Sequence, residues 1–151
     1  MVVTNETLGK LLLKETFTIV TQTYLNYYIK GPTSANTYGG YHPGIDYRAL
    51  TPLKVYSPIA GTVKSLGSGR VSINITGTNV YFIFLHLSKF FVKSGESVQV
   101  GDEIGLTGSV GTKDPHLHVE AKKGSFLASW YLKNSNQTGF NVNPVSVVSV
   151  T

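Results

Sequence analysis

The chain has 151 residues, of which 41 % are hydrophobic and 16 are glycine, and it carries a formal net charge of +5. This length is sufficient for one domain with its own core. The chain contains no cysteine, so disulfides and thiolate metal ligands are excluded. Its basic residues are scattered along the sequence, which argues against a nucleic-acid-binding arm.

The first third of the chain favours extended structure that leads into a loop. Residues 1–15 are compatible with a short helix or an irregular lead. The stretch from Phe17 to Ile29 is rich in Thr, Val, Ile and Tyr, which favours a strand. Gly31-Pro32 ends this stretch, and the small, polar and glycine-rich residues 33–44 predict a loop.

Short apolar or alternating segments, separated by glycine-containing turns, dominate the rest of the chain. The run Val80–Leu87 is almost continuously apolar, as expected for a strand buried on both faces. Helix signals are weak throughout, so we predict an all-β, mostly antiparallel fold. The other predicted strands are Val55–Ile59, Thr62–Leu66, Val71–Thr76 and Pro115–Ala121.

The segment His42-Pro-Gly-Ile-Asp46 places a histidine and a carboxylate four residues apart. Pro43 and Gly44 argue against a helix, but a loop running into a strand could aim both side chains inward. Imidazole nitrogen and carboxylate oxygen are both suitable zinc ligands. The alternative interpretation is a loop histidine beside a capping aspartate.

Two more histidines, His116 and His118, lie on the last predicted strand. Alternation along a strand points both of them to one face and Leu117 to the other. One histidine could bind a metal while its neighbour reaches a water molecule at that metal. The alternative is that both lie on an ordinary exposed strand face.

His86, the remaining histidine, ends the apolar run and could be no more than a core residue. Burial would keep it neutral, which suits a group that accepts a proton or makes one hydrogen bond. Other catalytic classes lack their motifs, because the chain has no H-E-x-x-H, G-x-S-x-G, P-loop or G-x-G-x-x-G pattern.

Taken together, these segments resemble the M23 metallopeptidase family of the lysostaphin and LytM type. That family pairs an H-x-x-x-D motif with a later H-x-H motif, which are matched by His42–Asp46 and His116–His118. The resemblance covers about residues 35–125 well and the C-terminal tail loosely. It also includes Tyr38-Gly39, Ser57–Val63, Phe84–Ser88, Ser94–Gly105, Gly108–Gly111 and Asn143-Pro144. Lys113-Asp114 and the long aromatic stretch 122–142 depart from the family pattern.

The resemblance implies a lysostaphin-like β fold with a loop-lined groove and a specific set of site residues. His42, Asp46 and His118 would bind one Zn²⁺, with His116 as general base. His86 would be a second catalytic histidine that holds the water or stabilises the tetrahedral oxyanion. Aromatic side chains that could line the groove are Tyr38, Tyr41 and Trp130.

The implied activity is hydrolysis of peptide cross-bridges or stem peptides in bacterial peptidoglycan, outside the cell, in the wall or in the periplasm. No transmembrane segment or secretory signal is recognisable in the chain. We expect an M23-like domain over 35–151 with an extended C-terminal tail, preceded by a segment 1–34 of unassigned role, the two together forming one compact domain. The alternatives are a non-catalytic wall-binding or regulatory module on the same fold and, from the 95–102 stretch, a carrier of the lipoyl type.

Overall fold

The computed structural model describes residues 3–29, 40–129 and 140–149. Within these ranges the chain is built mainly from antiparallel strands, which confirms the predicted fold class. The elements are α1 (Asn5–Leu13), β1 (Val20–Gln22), β2 (Tyr27–Ile29), β3 (Gly40–Tyr41), β4 (Ile45–Arg48), β5 (Lys54–Tyr56), β6 (Gly61–Gly67), β7 (Arg70–Ile75), β8 (Val80–Leu85), β9 (Lys89–Phe90), β10 (Ser97–Val98), β11 (Glu103–Leu106), β12 (His116–Lys123), β13 (Asn141–Val142) and a 3-10 helix (Pro144–Val147).

A large sheet organises the described residues, in the order β1-β4-β12-β8-β7-β6-β10, with β13 also paired to β12. Its pairings are antiparallel. A smaller sheet has the order β5-β11-β9, and β2 pairs with β3. Because β12 lies between β4 and β8, residues from three distant parts of the sequence meet at the middle of the large sheet.

Strand β8 shows why the apolar run was correctly predicted as a buried strand. Phe82, Ile83 and Phe84 are all fully buried, so both faces of the strand centre are covered. The strand ends at Leu85, and His86 takes a left-handed backbone conformation with φ of 66°. Consecutive hydrophobic residues therefore set the strand, and the turn begins at the histidine.

The N-terminal segment contributes a helix to the core. Thr4 caps α1, with its hydroxyl oxygen accepting from the Thr7 backbone N–H at 3.1 Å. Leu8 and Leu12, one helical turn apart, are fully buried. None of the helices in the described ranges is long and apolar enough to cross a membrane.

The stretch from Phe17 to Ile29 forms two short strands instead of one continuous strand. Strand β1 ends at Gln22, and Leu25 in the intervening turn has a positive φ of 63°. Its N–H donates to the His42 carbonyl at 2.8 Å. A long-range contact therefore overrides the local strand preference at this point.

Gly44 is required where the chain passes β12. A Cβ atom at this position would lie 2.0 Å from the Val119 carbonyl oxygen, a backbone atom that cannot move independently. We predict that Gly44→Ala lowers the free energy of unfolding by about 3 kcal/mol or more. Gly95→Ala is the control, because its Cβ meets no atom within 4 Å and only the left-handed backbone costs about 1–2 kcal/mol. Equal losses of unfolding free energy in the two variants, measured by denaturant unfolding, would contradict the prediction.

Candidate metal centre

Sheet register brings Asp46 and His118 together. Asp46 on β4 is the direct cross-strand partner of His118 on β12. The Asp46 Oδ1 and His118 Nδ1 atoms are 2.6 Å apart. His116, two residues before His118, has its Nε2 atom 3.5 Å from the same oxygen. Leu117 between them is fully buried in the core.

His42 reaches the same carboxylate from the loop before β4. Its Nε2 atom lies 3.1 Å from Asp46 Oδ2, and its Nδ1 atom lies 3.1 Å from the Thr23 carbonyl oxygen. The His42 backbone N–H donates to Asn26 O at 2.9 Å. The side chain is only 2 % exposed. Residues of the N-terminal segment therefore fix both the backbone and the ring of His42.

These three side chains form a candidate metal centre. One ligand atom from each of His42, Asp46 and His118 lies within 4.8 Å of the others. Two imidazole nitrogens and a carboxylate oxygen are suitable donors for zinc. The Thr23 carbonyl can only accept at Nδ1 of His42, so it leaves Nε2 as the nitrogen available to a metal.

The site favours an ionised carboxylate. Burial alone raises the pKa of Asp46, but hydrogen bonds from His118 and His42 outweigh it and hold that pKa well below its usual value. Burial likewise lowers the pKa of His118, but hydrogen bonds to Asp46 and Glu120 outweigh it and raise that pKa. A metal bound at Nδ1 of His118 would displace the proton shared with Asp46.

His86 and His116 form a pair of rings beside these three candidate ligands. Their ring centroids are 4.6 Å apart, and His86 lies 6.0 Å from His118. Nδ1 of His86 donates to Val110 O at 2.8 Å, and Nδ1 of His116 donates to Asp114 O at 2.8 Å. Both carbonyl contacts leave Nε2 as the basic nitrogen. Burial lowers the pKa of His86 to about 4, so this ring is neutral at pH 7.

A buried carboxylate lies behind His118. Glu120 is fully buried, and its Oε2 atom is 3.1 Å from His118 Nε2. Asn141, 2 % exposed, donates from Nδ2 to Glu120 Oε1 and to the Pro43 carbonyl, both at 3.1 Å. Sequence reasoning missed both residues. Alternation along β12 could have found Glu120, which shares a strand face with His116 and His118, whereas nothing local indicates Asn141.

Of the aromatic residues predicted to line a groove, the described part of the chain includes Tyr41. Its ring stacks on that of Tyr27, with centroids 4.8 Å apart and an interplanar angle of 17°. Tyr27 is half exposed and was not predicted. Tyr38 and Trp130 lie outside the described residues.

The fold and the site define an antiparallel β protein with a His-Asp-His candidate metal centre and two adjacent histidines. Comparison with known families matches residues 40–138 to peptidase family M23. The chain therefore belongs to this family, and the resemblance deduced from the two histidine motifs is confirmed.

Individual relatives agree with this assignment. Lysostaphin of Staphylococcus simulans is 32 % identical over 125 residues, which cover 70 % of this chain and 24 % of lysostaphin. The peptidoglycan DD-endopeptidase ShyA of Vibrio cholerae is 37 % identical over 84 residues, covering 52 % of this chain and 20 % of ShyA. The chain thus spans a quarter or less of the length of these two relatives.

A solved structure supports the same fold. The catalytic domain of the prophage-encoded M23 protein EnpA from Enterococcus faecalis is similar, with a TM-score of 0.60 and 27 % identity. The match covers 86 % of this chain and 91 % of that domain. The likeness therefore extends over almost the whole of a catalytic domain.

Proposed function

We propose that this chain is a zinc-dependent endopeptidase that hydrolyses peptide cross-bridges or stem peptides of bacterial peptidoglycan. The observation that carries the proposal is the convergence of His42, Asp46 and His118 on one point, with their ligand atoms within 4.8 Å. Two further histidines stand at the edge of this cluster. Membership of peptidase family M23 supports the reaction class.

The donor set fits a catalytic zinc ion better than a structural one. Catalytic sites use three protein ligands and keep one position open, whereas structural sites close all four. His42 would bind through Nε2 and His118 through Nδ1, because their other ring nitrogens face Thr23 O and Glu120. Zinc bound here would polarise a peptide carbonyl and lower the pKa of water to about 7.

His116 has the placement of a general base. Asp114 O accepts from its Nδ1, which leaves Nε2 as the basic nitrogen on the side of the metal ligands, 3.5 Å from Asp46 Oδ1. With its side chain 20 % exposed, His116 stays accessible to a substrate. We propose that it takes a proton from the attacking water and passes it to the leaving amine.

His86 is suited to holding the attacking water. Its Nδ1 is engaged with the Val110 carbonyl, so the neutral ring offers only an acceptor at Nε2. An acceptor can orient a water molecule, but it cannot donate to the oxyanion of a tetrahedral intermediate. Of the two roles that the family resemblance implies for His86, this hydrogen bond favours water orientation.

The substrate assignment follows from the relatives and from accessible groups beside the site. The name of ShyA specifies a peptidoglycan DD-endopeptidase, and we propose a peptidoglycan peptide as substrate here too. Tyr41 immediately precedes His42, so the Tyr27–Tyr41 stack is a candidate wall of the groove. Action on peptidoglycan places the working site outside the cell, in the wall or in the periplasm.

We also propose that residues 1–34 fold together with the peptidase domain 35–151. Leu8 and Leu12 belong to the same core cluster as residues of β8 and β12. Thr23 and Asn26 make hydrogen bonds to His42. A variant without the N-terminal segment would lose these contacts, so the proposal predicts that it fails to form the metal centre.

Digestion of purified peptidoglycan tests the proposed activity. Walls with glycine cross-bridges and walls with direct D-alanine–diaminopimelate cross-links would be incubated separately with the protein and zinc. We expect new free amines from at least one wall type, and loss of their release in the presence of a chelator. Mass analysis of the fragments would then assign the cleaved bond.

The same incubation separates an enzyme from a non-catalytic wall-binding module. Sedimentation with the wall, measured in parallel, reports binding without cleavage. Protein that sediments with every wall type but releases no amine, with zinc supplied, would contradict the proposed activity and support the binding module.

A further inference from the structure

Glu120 and Asn141 link the two segments that carry the histidine ligands. Asn141 lies on β13, beyond the residues matched to the family, and its side-chain N–H groups donate to Pro43 O and to Glu120 Oε1. Pro43 is the residue next to His42, and Glu120 contacts His118 directly. One buried amide therefore connects the loop of the first ligand to the strand of the last.

Both oxygens of the Glu120 carboxylate accept hydrogen bonds in this arrangement. Oε2 accepts from His118 Nε2 at 3.1 Å, and Oε1 accepts from the Ser129 backbone N–H at 3.0 Å and from Asn141 at 3.1 Å. The Ser129 hydroxyl in turn donates to Asn141 Oδ1 at 2.8 Å. These donors converge on one buried anion, so the Glu120 side chain has little freedom to turn.

Such a carboxylate can set the orientation of a ligand ring. An imidazole that donates one N–H to a fixed acceptor has its tautomer and rotation determined, with the other nitrogen directed at the metal. Here the fixed acceptor is Glu120, and the remaining nitrogen is Nδ1, which lies 2.6 Å from Asp46 Oδ1. The contacts therefore run from Asn141 through Glu120 to the ligand atom of His118.

We infer that Glu120 is a positioning residue for the metal centre and that Asn141 holds it in register with the loop of His42. This inference rests on the proposed zinc site. Glu120 would not contact the substrate or the reacting atoms. Its effect would be on metal affinity and coordination geometry, through the ring of His118.

Zinc affinity of the metal-free full chain, measured by competition with a chromophoric chelator, tests the inference. Glu120→Gln keeps the size of the side chain but removes the charge. It also places an amide N–H₂ donor where a carboxylate oxygen had accepted hydrogen bonds. Asn141→Ala removes the link to Pro43 while Glu120 remains. We expect zinc affinity to fall about 10–100-fold for Glu120→Gln, and by a smaller factor for Asn141→Ala.

Ser72→Ala is the matched control. Ser72 is also a fully buried polar residue on a strand of the large sheet, and its hydroxyl donates to Phe126 O at 2.6 Å. We expect this variant to lose stability in thermal unfolding but to keep wild-type zinc affinity. The Co²⁺-substituted protein adds a spectroscopic readout, in which the visible bands shift for the Glu120 variant and not for the control.

The possible outcomes separate this inference from the proposed function. Zinc affinity and cobalt bands unchanged in both network variants would overturn the positioning role while leaving the zinc site intact. Loss of zinc affinity in Ser72→Ala in proportion to its stability would overturn it too, because the effect would then be general destabilisation. A wild-type chain that binds no zinc would overturn the proposed function itself.

Discussion

Asp46→Ala is expected to remove zinc binding. The Asp46 carboxylate lies 3.1 Å from His42 Nε2 and 2.6 Å from His118 Nδ1, so it is the group on which both histidines converge. Loss of a proposed direct ligand should exceed the 10–100-fold effect typical of residues behind the ligands, so we expect at least about a 100-fold fall in zinc affinity. Metal analysis after purification in the presence of zinc measures how much zinc each chain retains.

Two further variants define the specificity of this effect. His118→Ala should lose zinc in the same way, since it removes a second member of the cluster. Asp102→Ala is the control, because this exposed carboxylate accepts the Gln99 N–H at 2.8 Å in a turn outside the site. Stoichiometric zinc in Asp46→Ala would show that the metal, if any, is held elsewhere.

His116→Ala is expected to keep zinc and lose most activity. His116 lies outside the group of three side chains whose ligand atoms converge. Removing a general base typically costs about 10²–10⁴ in rate. In this variant the zinc content should therefore stay unchanged, whereas the initial rate of amine release from peptidoglycan should fall greatly.

The opposite result would reassign the residue. A metal-free His116→Ala protein would make His116 a ligand, and its ring would then have to move toward the three ligands. His86→Ala offers a comparison on the same side of the site. If His86 only orients the water, its loss should lower the rate while zinc remains bound.

The sequence was sufficient to predict β8 and β12, two of the strands at the site, but β4 with Asp46 was not among the predicted strands. Val80–Leu85 is apolar and buried at its centre, and the segment around His116 and His118 is a strand on which Leu117 faces the core. These features depend on local alternation and hydrophobicity, which a sequence displays directly. The two histidine motifs were equally visible, and family comparison confirmed the resemblance that they carry.

Other parts depend on contacts that no local pattern contains. Helix α1 is only nine residues long and is stabilised by packing of Leu8 and Leu12 in the core cluster shared with the strands. The orientation of His42 depends on a backbone carbonyl 19 residues earlier, at Thr23. A carbonyl has no side-chain signature, so its role becomes visible only when the register of the strands is known.

Asn141 illustrates the same limit at the other end of the chain. It meets Glu120, 21 residues away, and Pro43, 98 residues away, because β13 pairs with β12 and β12 lies beside β4. An asparagine in a sequence most often indicates a turn or a cap. Its place behind the metal centre follows from sheet topology alone.

Stepwise addition of zinc to the metal-free protein, with amine release from purified peptidoglycan as the readout, tests the central claim most directly. The proposed site binds one ion through His42, Asp46 and His118. Activity should therefore rise from near zero and reach its plateau at one zinc per chain. Full activity before any zinc is added, or a rise that Asp46→Ala reproduces, would contradict a zinc peptidase built on these three residues.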